Sequence, residues 1–353
     1  MRPGPAPNRT PMSNPVPDAA PAAAAGALIS QIRDAVMSRQ RFLITSHARP
    51  DGDSIGSQLA MAFALDALGK QTRIINADRA PEHYYEFPGL NRIEIAAEVP
   101  ADAVADAVIV MECGDLDRTG VRGFEGRYII NVDHHAGNRM YGAINWFDES
   151  AAACGEMVYD VIAALGVPMS LEIATHIYLA ILTDTGSFHH SNITPRTFEI
   201  CRQTVEAGVN PAAMARRIFD SNSFGKLKLI GALLDRMQLL DDGRLAVLYM
   251  DDGMLGACGC THNDTEGLIN LPLTAREIQA VVFFKVAPDG AVRVSMRSKY
   301  DVDVRMVANV YGGGGHKNAA GFTVAGPLEQ VRTGILDRVV TAIARGLETR
   351  RSA

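Results

Sequence analysis

Cysteine is scarce and odd in number: Cys113, Cys154, Cys201, Cys258 and Cys260 are the five in 353 residues. An odd, dispersed set excludes a disulfide framework and fits the reduced thiols of a cytoplasmic protein. Cys258 and Cys260 have His262 close behind but no second ligand pair at zinc spacing, so they read as a loop. No run reaches the roughly 18 to 20 apolar residues of a membrane span, so no membrane partner is expected. The Ala-rich stretch after Asp18 is too weakly apolar for a signal peptide, and no charged segment immediately precedes it. Basic charge is also short. The 34 Lys and Arg face 40 Asp and Glu, a net charge of −6. That balance excludes a protein that coats long nucleic acid by charge alone, though it allows a local basic pocket for a small anion. No internal repeat is present, which excludes a repeat array.

What is there fits an ordinary soluble globular chain, with 47% apolar and 21% charged residues. At roughly 150 residues per domain the length predicts about two domains. Residues 1–26 are rich in Pro and Ala and carry too little apolar surface to offset ordering entropy, so a disordered tail is expected there. Short apolar runs at 41–45, 72–76, 107–111 and 128–132 read as strands separated by helical segments at 27–39 and 54–68. That pattern predicts a parallel sheet covered on both faces. Helices follow at 151–165 and 171–182, and two more start at Thr194-Pro195 and Asn210-Pro211. A helix over 223–239 is expected to connect this part to a second, smaller α/β domain. There, strands at 244–250, 278–286, 291–296 and 321–324 alternate with helices at 302–310 and 328–347. The predicted boundaries are 27–215 for the first domain, 216–240 for a helical linker and 241–347 for the second domain.

The chemistry gathers at strand ends, where a parallel α/β sheet collects its ligands. The first strand runs into Ser46-His47-Ala48-Arg49-Pro50-Asp51-Gly52-Asp53. Gly52 is expected to let the backbone turn tightly between the two carboxylates. The third strand ends at Glu112-Cys113-Gly114-Asp115 and the fourth at Asp133-His134-His135. A helix ends at Thr183-Asp184-Thr185. Carboxylates stacked along one sheet edge repel unless cations lie between them. Oxygen donors with a few imidazoles suit Mn²⁺ or Mg²⁺ better than zinc, and two such ions are expected. In the second domain, Arg297 ends a strand and Gly312 to Gly315 precede His316 and Lys317. The glycine run lacks Walker spacing, and with Arg297 it reads as a phosphate or nucleotide clamp. His176 reads as a packed core histidine, while His189 and His190 lie close enough in sequence to Asp184 to line its pocket.

Together, His47-x-x-Pro50-Asp51-x-Asp53, Asp133-His134-His135, Thr183-Asp184-Thr185 and the glycine-rich His316 segment resemble the DHH phosphoesterases. The second domain resembles the DHH-associated nucleotide-binding domain. The likeness extends over roughly residues 27 to 345. Its branch is similar to the nanoRNases that also act on 3′-phosphoadenosine 5′-phosphate. The resemblance implies that His47 and Asp51 hold one metal ion, that Asp53, His134 and Asp184 hold the other, and that Glu112 bridges them. Mn²⁺ is the implied ion, with Mg²⁺ as a substitute. Glu112 stands where the family normally has Asp, and Asp115 is the alternative bridging carboxylate. Asp133 is implied to orient a histidine, and His135 to contact the scissile phosphate or help protonate the leaving oxygen. Arg297, Gly313, Gly314, Gly315 and His316 are implied to grip the distal phosphate or nucleotide across a cleft between the domains. The substrates implied are short single-stranded RNA and 3′-phosphoadenosine 5′-phosphate, in an enzyme that forms homodimers. Three other readings stand beside this one: a phosphodiesterase for linear or cyclic dinucleotides, an inorganic pyrophosphatase, and a nucleotide- or RNA-binding protein whose catalysis has decayed.

Overall fold

The computed structural model describes residues 19–352, apart from 221, 266, 288 and 289. The chain divides into two compact units after Ser221. Of the expected disordered tail, residues 1–18 lie outside the described residues. Residues 19–26 are helical, because helix α1 begins at Ala19 and runs to Met37. Alanine has the highest helix propensity, so the Ala-rich stretch extends the helix toward its N-terminus.

The first unit is built on six parallel strands: β1 (Arg41–Thr45), β2 (Gln71–Asn76), β3 (Ile93–Ile95), β4 (Ala107–Met111), β5 (Ile129–Asp133) and β6 (Ile144–Phe147). Their order is β3-β2-β1-β4-β5-β6, with Phe42 beside Ala107 and Ile44 beside Ile109. The short strands β3 and β6 were not legible from periodicity. Consecutive residues bury to opposite faces. Phe42 and Ile44 join the core under α2 (Gly52–Ala67), α3 (Cys154–Ala164) and α4 (Leu171–Asp184), while Leu43 joins Val108, Val110 and Phe124 on the other face. Both faces are covered, as the near-continuous apolar strands require. Two further helices, α5 (Pro195–Glu206) and α6 (Pro211–Phe219), start where expected, capped by Thr194 and Asn210. The strand order reverses at the β1/β4 pair, so the crevice beyond their carboxyl ends is the expected ligand position.

Gly52 acts differently from the sequence expectation. It opens α2, and a Cβ there would meet Thr183 at 2.4 Å; at Gly56, one turn on, it would meet the His176 carbonyl at 2.4 Å. The two glycines let α2 and α4 approach closely, which brings Asp53 beside Asp184. His176 is the packed core histidine expected: it is buried, lies 5.5 Å from the Phe63 ring, and burial pushes its pKa down to about 4.

The second unit has α7 (Phe224–Asp235), β7 (Gln238–Leu240), β8 (Leu245–Asp251), α8 (Asp252–Cys258), β9 (Ala280–Val286), β10 (Val292–Ser298), α9 (Arg305–Val310), β11 (Gly314–His316), β12 (Ala319–Val324) and α10 (Leu328–Ser352). Its sheet order is β11-β12-β10-β9-β8-β7; only β8 and β9 are parallel neighbours. The expected helix over 223–239 stops at Asp235, and Gln238–Leu240 pairs with β8 instead. The turn at Asp241, Asp242 and Gly243, all at positive φ, returns the chain, and hairpin pairing overrides the helical pattern of the leucines. Leu229 and Leu233 of α7 pack into the core of this unit. Residues 222–240 fall within the second compact unit. Among the described residues no helix is long and apolar enough to cross a membrane.

Candidate metal centre

Six side chains from four separate segments converge at the carboxyl edge of the first sheet. His47 follows β1, and Asp51 caps α2 by accepting the Ser54 N–H at 3.0 Å. Asp53 sits in the first turn of α2, Glu112 follows β4, His134 follows β5 and Asp184 ends α4. Their ligand atoms form two groups within 4.8 Å, His47–Asp51–Glu112 and Asp53–Glu112–His134–Asp184, with Glu112 common to both. His134 Nε2 lies 3.7 Å from Asp53, 3.3 Å from Glu112 and 3.6 Å from Asp184, and His47 Nε2 lies 3.6 Å from Asp51.

The imidazoles are held so that Nε2 faces these carboxylates. His134 Nδ1 donates to the Ala151 carbonyl at 3.0 Å, and His47 Nδ1 donates to the Ala48 carbonyl at 2.8 Å. A carbonyl on Nδ1 fixes the tautomer whose Nε2 lone pair is free for a cation. Asp53 is 1% exposed and is held by three donors: Cys154 N at 2.6 Å, Gly155 N at 3.0 Å and Ser57 Oγ at 2.9 Å. Two of these are the first N–H groups of α3, whose positive end favours the carboxylate.

The charges are not balanced within the protein. Burial and the neighbouring Asp53 push Glu112 well above the usual carboxylate range. Burial raises Asp53 too, and burial and the Asp53 charge raise Asp184 to about 7. Burial opposes charge on His134, but Glu112 and Asp53 outweigh it and raise its pKa to about 11. Burial would also raise Asp51, yet His47 and the Ser54 N–H hold it low. Glu112 is 1% exposed, and its Oε2 receives no hydrogen bond. Its backbone lies at φ +57°, a left-handed conformation that costs a non-glycine residue about 1–2 kcal/mol. A buried carboxylate oxygen without a donor, two oriented imidazoles and an excess of carboxylates fit divalent cations bound by oxygen and nitrogen.

Beside this group, Asp133 Oδ1 accepts His135 Nδ1 at 2.9 Å, and Oδ2 accepts Asn138 Nδ2 at 2.7 Å. Burial would raise Asp133, but these two donors outweigh it and hold the carboxyl below its ordinary range. His135 Nδ1 is also 3.5 Å from Glu112. Asp115 lies outside both donor groups: it caps a 3₁₀ turn through Asp117 N and pairs with Arg139 at 2.9 Å. Near Asp184, His190 Nδ1 lies 3.3 Å from the Asp184 carbonyl, and both His189 and His190 are solvent-exposed. Asn138 was missed from sequence because an amide in a loop carries no distinguishing pattern. Ser57 was missed as well, although its place one helical turn beyond Asp53 is a signal the sequence carries.

The second-unit residues form a separate group. Arg297 on β10 pairs with Ala319, which pairs with His316 on β11. Residues in one cross-strand row project from the same face, so the two side chains stand about 10 Å apart across two strand spacings. Arg297 is half-buried, burial lowers its pKa, and no carboxylate pairs with it among the described residues. Gly312 and Gly313 precede β11, and Gly314 and Gly315 lie in it. A Cβ at Gly313 would meet the Gly321 carbonyl at 2.3 Å, and one at Gly315 the Ala319 carbonyl at 2.4 Å. These two glycines are required by backbone contact; at Gly314 the space is open.

Comparison with known proteins follows the same division. The DHH family, N-terminal domain, matches residues 41–181, and the DHHA1 domain matches residues 242–345. A Thermus thermophilus protein named bifunctional oligoribonuclease and PAP phosphatase NrnA is 33% identical over 306 residues, 86% of this chain and 90% of the relative. The chain belongs to the DHH family. A Bacillus subtilis protein of the same name is 28% identical, over 80% of this chain and 88% of its own length. The fold agrees with that of an exopolyphosphatase-related protein from Bacteroides fragilis, with a TM-score of 0.82 and 23% identity, over 90% of this chain and 96% of that one. As a DHH-family member the chain is a phosphoester hydrolase of a metal-dependent family.

Proposed function

We propose that this chain hydrolyses short oligoribonucleotides to mononucleotides, and 3′-phosphoadenosine 5′-phosphate to AMP and phosphate, using two divalent ions with Mn²⁺ preferred over Mg²⁺. The observation that carries it is the pair of donor groups sharing Glu112. The names of the Thermus and Bacillus relatives supply the substrate class. His47 and Asp51 would hold one ion and Asp53, His134 and Asp184 the other, with Glu112 placed in both donor groups. When bound, the ions supply Lewis-acid neutralisation of phosphate charge and a nucleophilic water at neutral pH. Asp133 accepts from His135 Nδ1 and so orients the ring, whose Nε2 contacts the scissile phosphate or helps protonate the leaving oxygen. In the second unit, Arg297 and His316 bind the distal phosphate or nucleotide. Five free thiols and no disulfide fit a cytoplasmic setting.

The test is hydrolysis of an end-labelled RNA dinucleotide and of 3′-phosphoadenosine 5′-phosphate, each with Mn²⁺, Mg²⁺ or chelator. Mononucleotide release from the first and phosphate release from the second, both abolished by chelator, are the expected results. No turnover of either substrate by metal-loaded protein overturns the substrate assignment. Arg297→Ala is expected to raise KM for 3′-phosphoadenosine 5′-phosphate roughly ten- to hundredfold, the range for losing a hydrogen bond to a charged group. If the contact is equally strong in ground and transition states, kcat changes little. Initial rates across substrate concentrations check this, and an unchanged KM removes Arg297 from the binding site.

A further inference from the structure

Residues 151–155 join the side chains of one donor group from outside. The Ala151 carbonyl accepts His134 Nδ1, and the Cys154 and Gly155 N–H groups hold Asp53. Between them, the Ala152 backbone is gripped from both sides. Glu156 Oε2 accepts its N–H at 3.2 Å, and Asn192 Nδ2 donates to its carbonyl at 2.8 Å. The same Asn192 amide reaches the Asp184 carbonyl at 3.4 Å. One amide and one carboxylate therefore connect to His134, Asp53 and Asp184, three residues from three different elements.

The buried polar atoms argue that this is more than packing. Glu156 is 3% exposed, and its Oε1 and Asn192 Oδ1 are both buried without a hydrogen-bond partner. An apolar side chain would fill the same space without two desolvated acceptors, so the polar pair is a poor choice for stability alone. Glu156 also lies in the first turn of α3, where a carboxylate capping backbone N–H groups is the rival explanation. Asn192 lies outside that helix, and capping does not account for its contact with Asp184.

We infer that Glu156 and Asn192 are positioning residues of the metal centre. By clamping Ala152 they hold the Ala151 carbonyl and the α3 N–H groups where His134 and Asp53 need them, and Asn192 steadies the backbone of Asp184. The inference rests on the metal reading proposed above and adds the residues that set its geometry. Residues that orient metal ligands affect affinity by roughly ten- to hundredfold, which sets the expected effect.

The experiment is Mn²⁺ titration of the full chain by calorimetry, with thermal melts in chelator and in Mn²⁺. Asn192→Ala and Glu156→Ala are expected to weaken one Mn²⁺ site by roughly ten- to hundredfold. Glu156→Gln keeps an acceptor for the Ala152 N–H and is expected to restore most of that affinity. KM for substrate at saturating Mn²⁺ should stay near wild type, since neither residue is placed against substrate. Mn²⁺ affinity within about twofold of wild type, with equal melting losses in chelator and in Mn²⁺, overturns the inference in favour of helix capping. If Glu156→Ala fails to fold, Asn192→Ala and Glu156→Gln carry the test. Asp53→Asn serves as the reference: wild-type Mn²⁺ binding by that variant overturns the metal reading itself.

Discussion

Asp53→Ala is expected to abolish turnover and to remove one Mn²⁺ site, the largest effect of any single substitution in this chain. Asp53 is 1% exposed and contributes to the four-residue donor group. Substitutions that merely orient a metal ligand cost roughly ten- to hundredfold, so loss of the ligand should exceed the upper end of that range. A comparison with Asp53→Asn separates the two tasks of the residue. Its carboxylate also accepts the Cys154 and Gly155 N–H groups at the start of α3. Asparagine keeps an acceptor for that helix end and loses the charge; alanine loses both. Both variants should therefore lack activity at saturating Mn²⁺. Alanine should forfeit the whole cap, worth about 1 kcal/mol in chelator-treated protein, and asparagine only the part made by the second oxygen. Rates measured in Mn²⁺ and melts measured in chelator check the two halves separately. Near-normal turnover by either variant would remove Asp53 from the metal centre.

The second large effect is a pH-dependent dependence of stability on metal. Asp184 has an ordinary pKa of 3.8, and burial and Asp53 raise it to about 7 in the fold. Between those values the metal-free native state holds a proton that the unfolded chain has lost. Its contribution to stability is therefore present at acid pH and is lost as pH rises through about 7. Asp53 and Glu112 shift in the same direction, for burial first and neighbouring charge second. His134, raised from 6.5 to about 11, also gives up stability as pH rises through that interval. Asp51 and Asp133 are held low, and they act only when pH falls through the ordinary carboxylate range and below. His176, lowered to about 4, acts in the opposite direction up to about pH 6.5, but the three raised carboxyls outnumber it. Metal-free protein should thus lose stability from pH 5 to pH 8, while cations that displace those protons bind more tightly over the same range. The difference in Tm between Mn²⁺-loaded and chelator-treated protein is expected to be small at pH 5 and to reach several degrees at pH 8, given Mn²⁺ at about a hundred times its Kd. Melts at half-unit pH steps with both treatments measure it. A difference that is flat, or larger at pH 5, would contradict the protonation pattern of the centre.

That these donor side chains gather at one sheet edge was legible in the sequence, for a local reason. In a parallel sheet the residue after each strand falls at one edge. Finding strands at 41–45 and 107–111 therefore placed His47 and Glu112 together, and both strands have those bounds in the structure. Helix starts at Pro195 and Pro211 were legible because the capping residue and the proline are adjacent in sequence. Edge strands of three or four residues, such as Gln238–Leu240 and Ile144–Phe147, were not, since too few residues show a period. The pairing of Gly314 and Gly315 in a hairpin was not legible either, because a tight hairpin and an anion cradle both demand glycine.

The sequence by itself determined which chemical groups are present, which strand ends carry them, and the family to which the chain belongs. The tertiary structure alone decided that Asp115 turns away to Arg139 while Glu112 faces both donor groups. It alone placed the N-terminus of α3 against Asp53, and Glu156 and Asn192 around Ala152. The physical reason is the range of each rule. Periodicity, capping and strand-end placement act through covalent neighbours and can be read along the chain. Backbone carbonyls and N–H groups are the same at every residue, so only packing selects the few that orient a ligand.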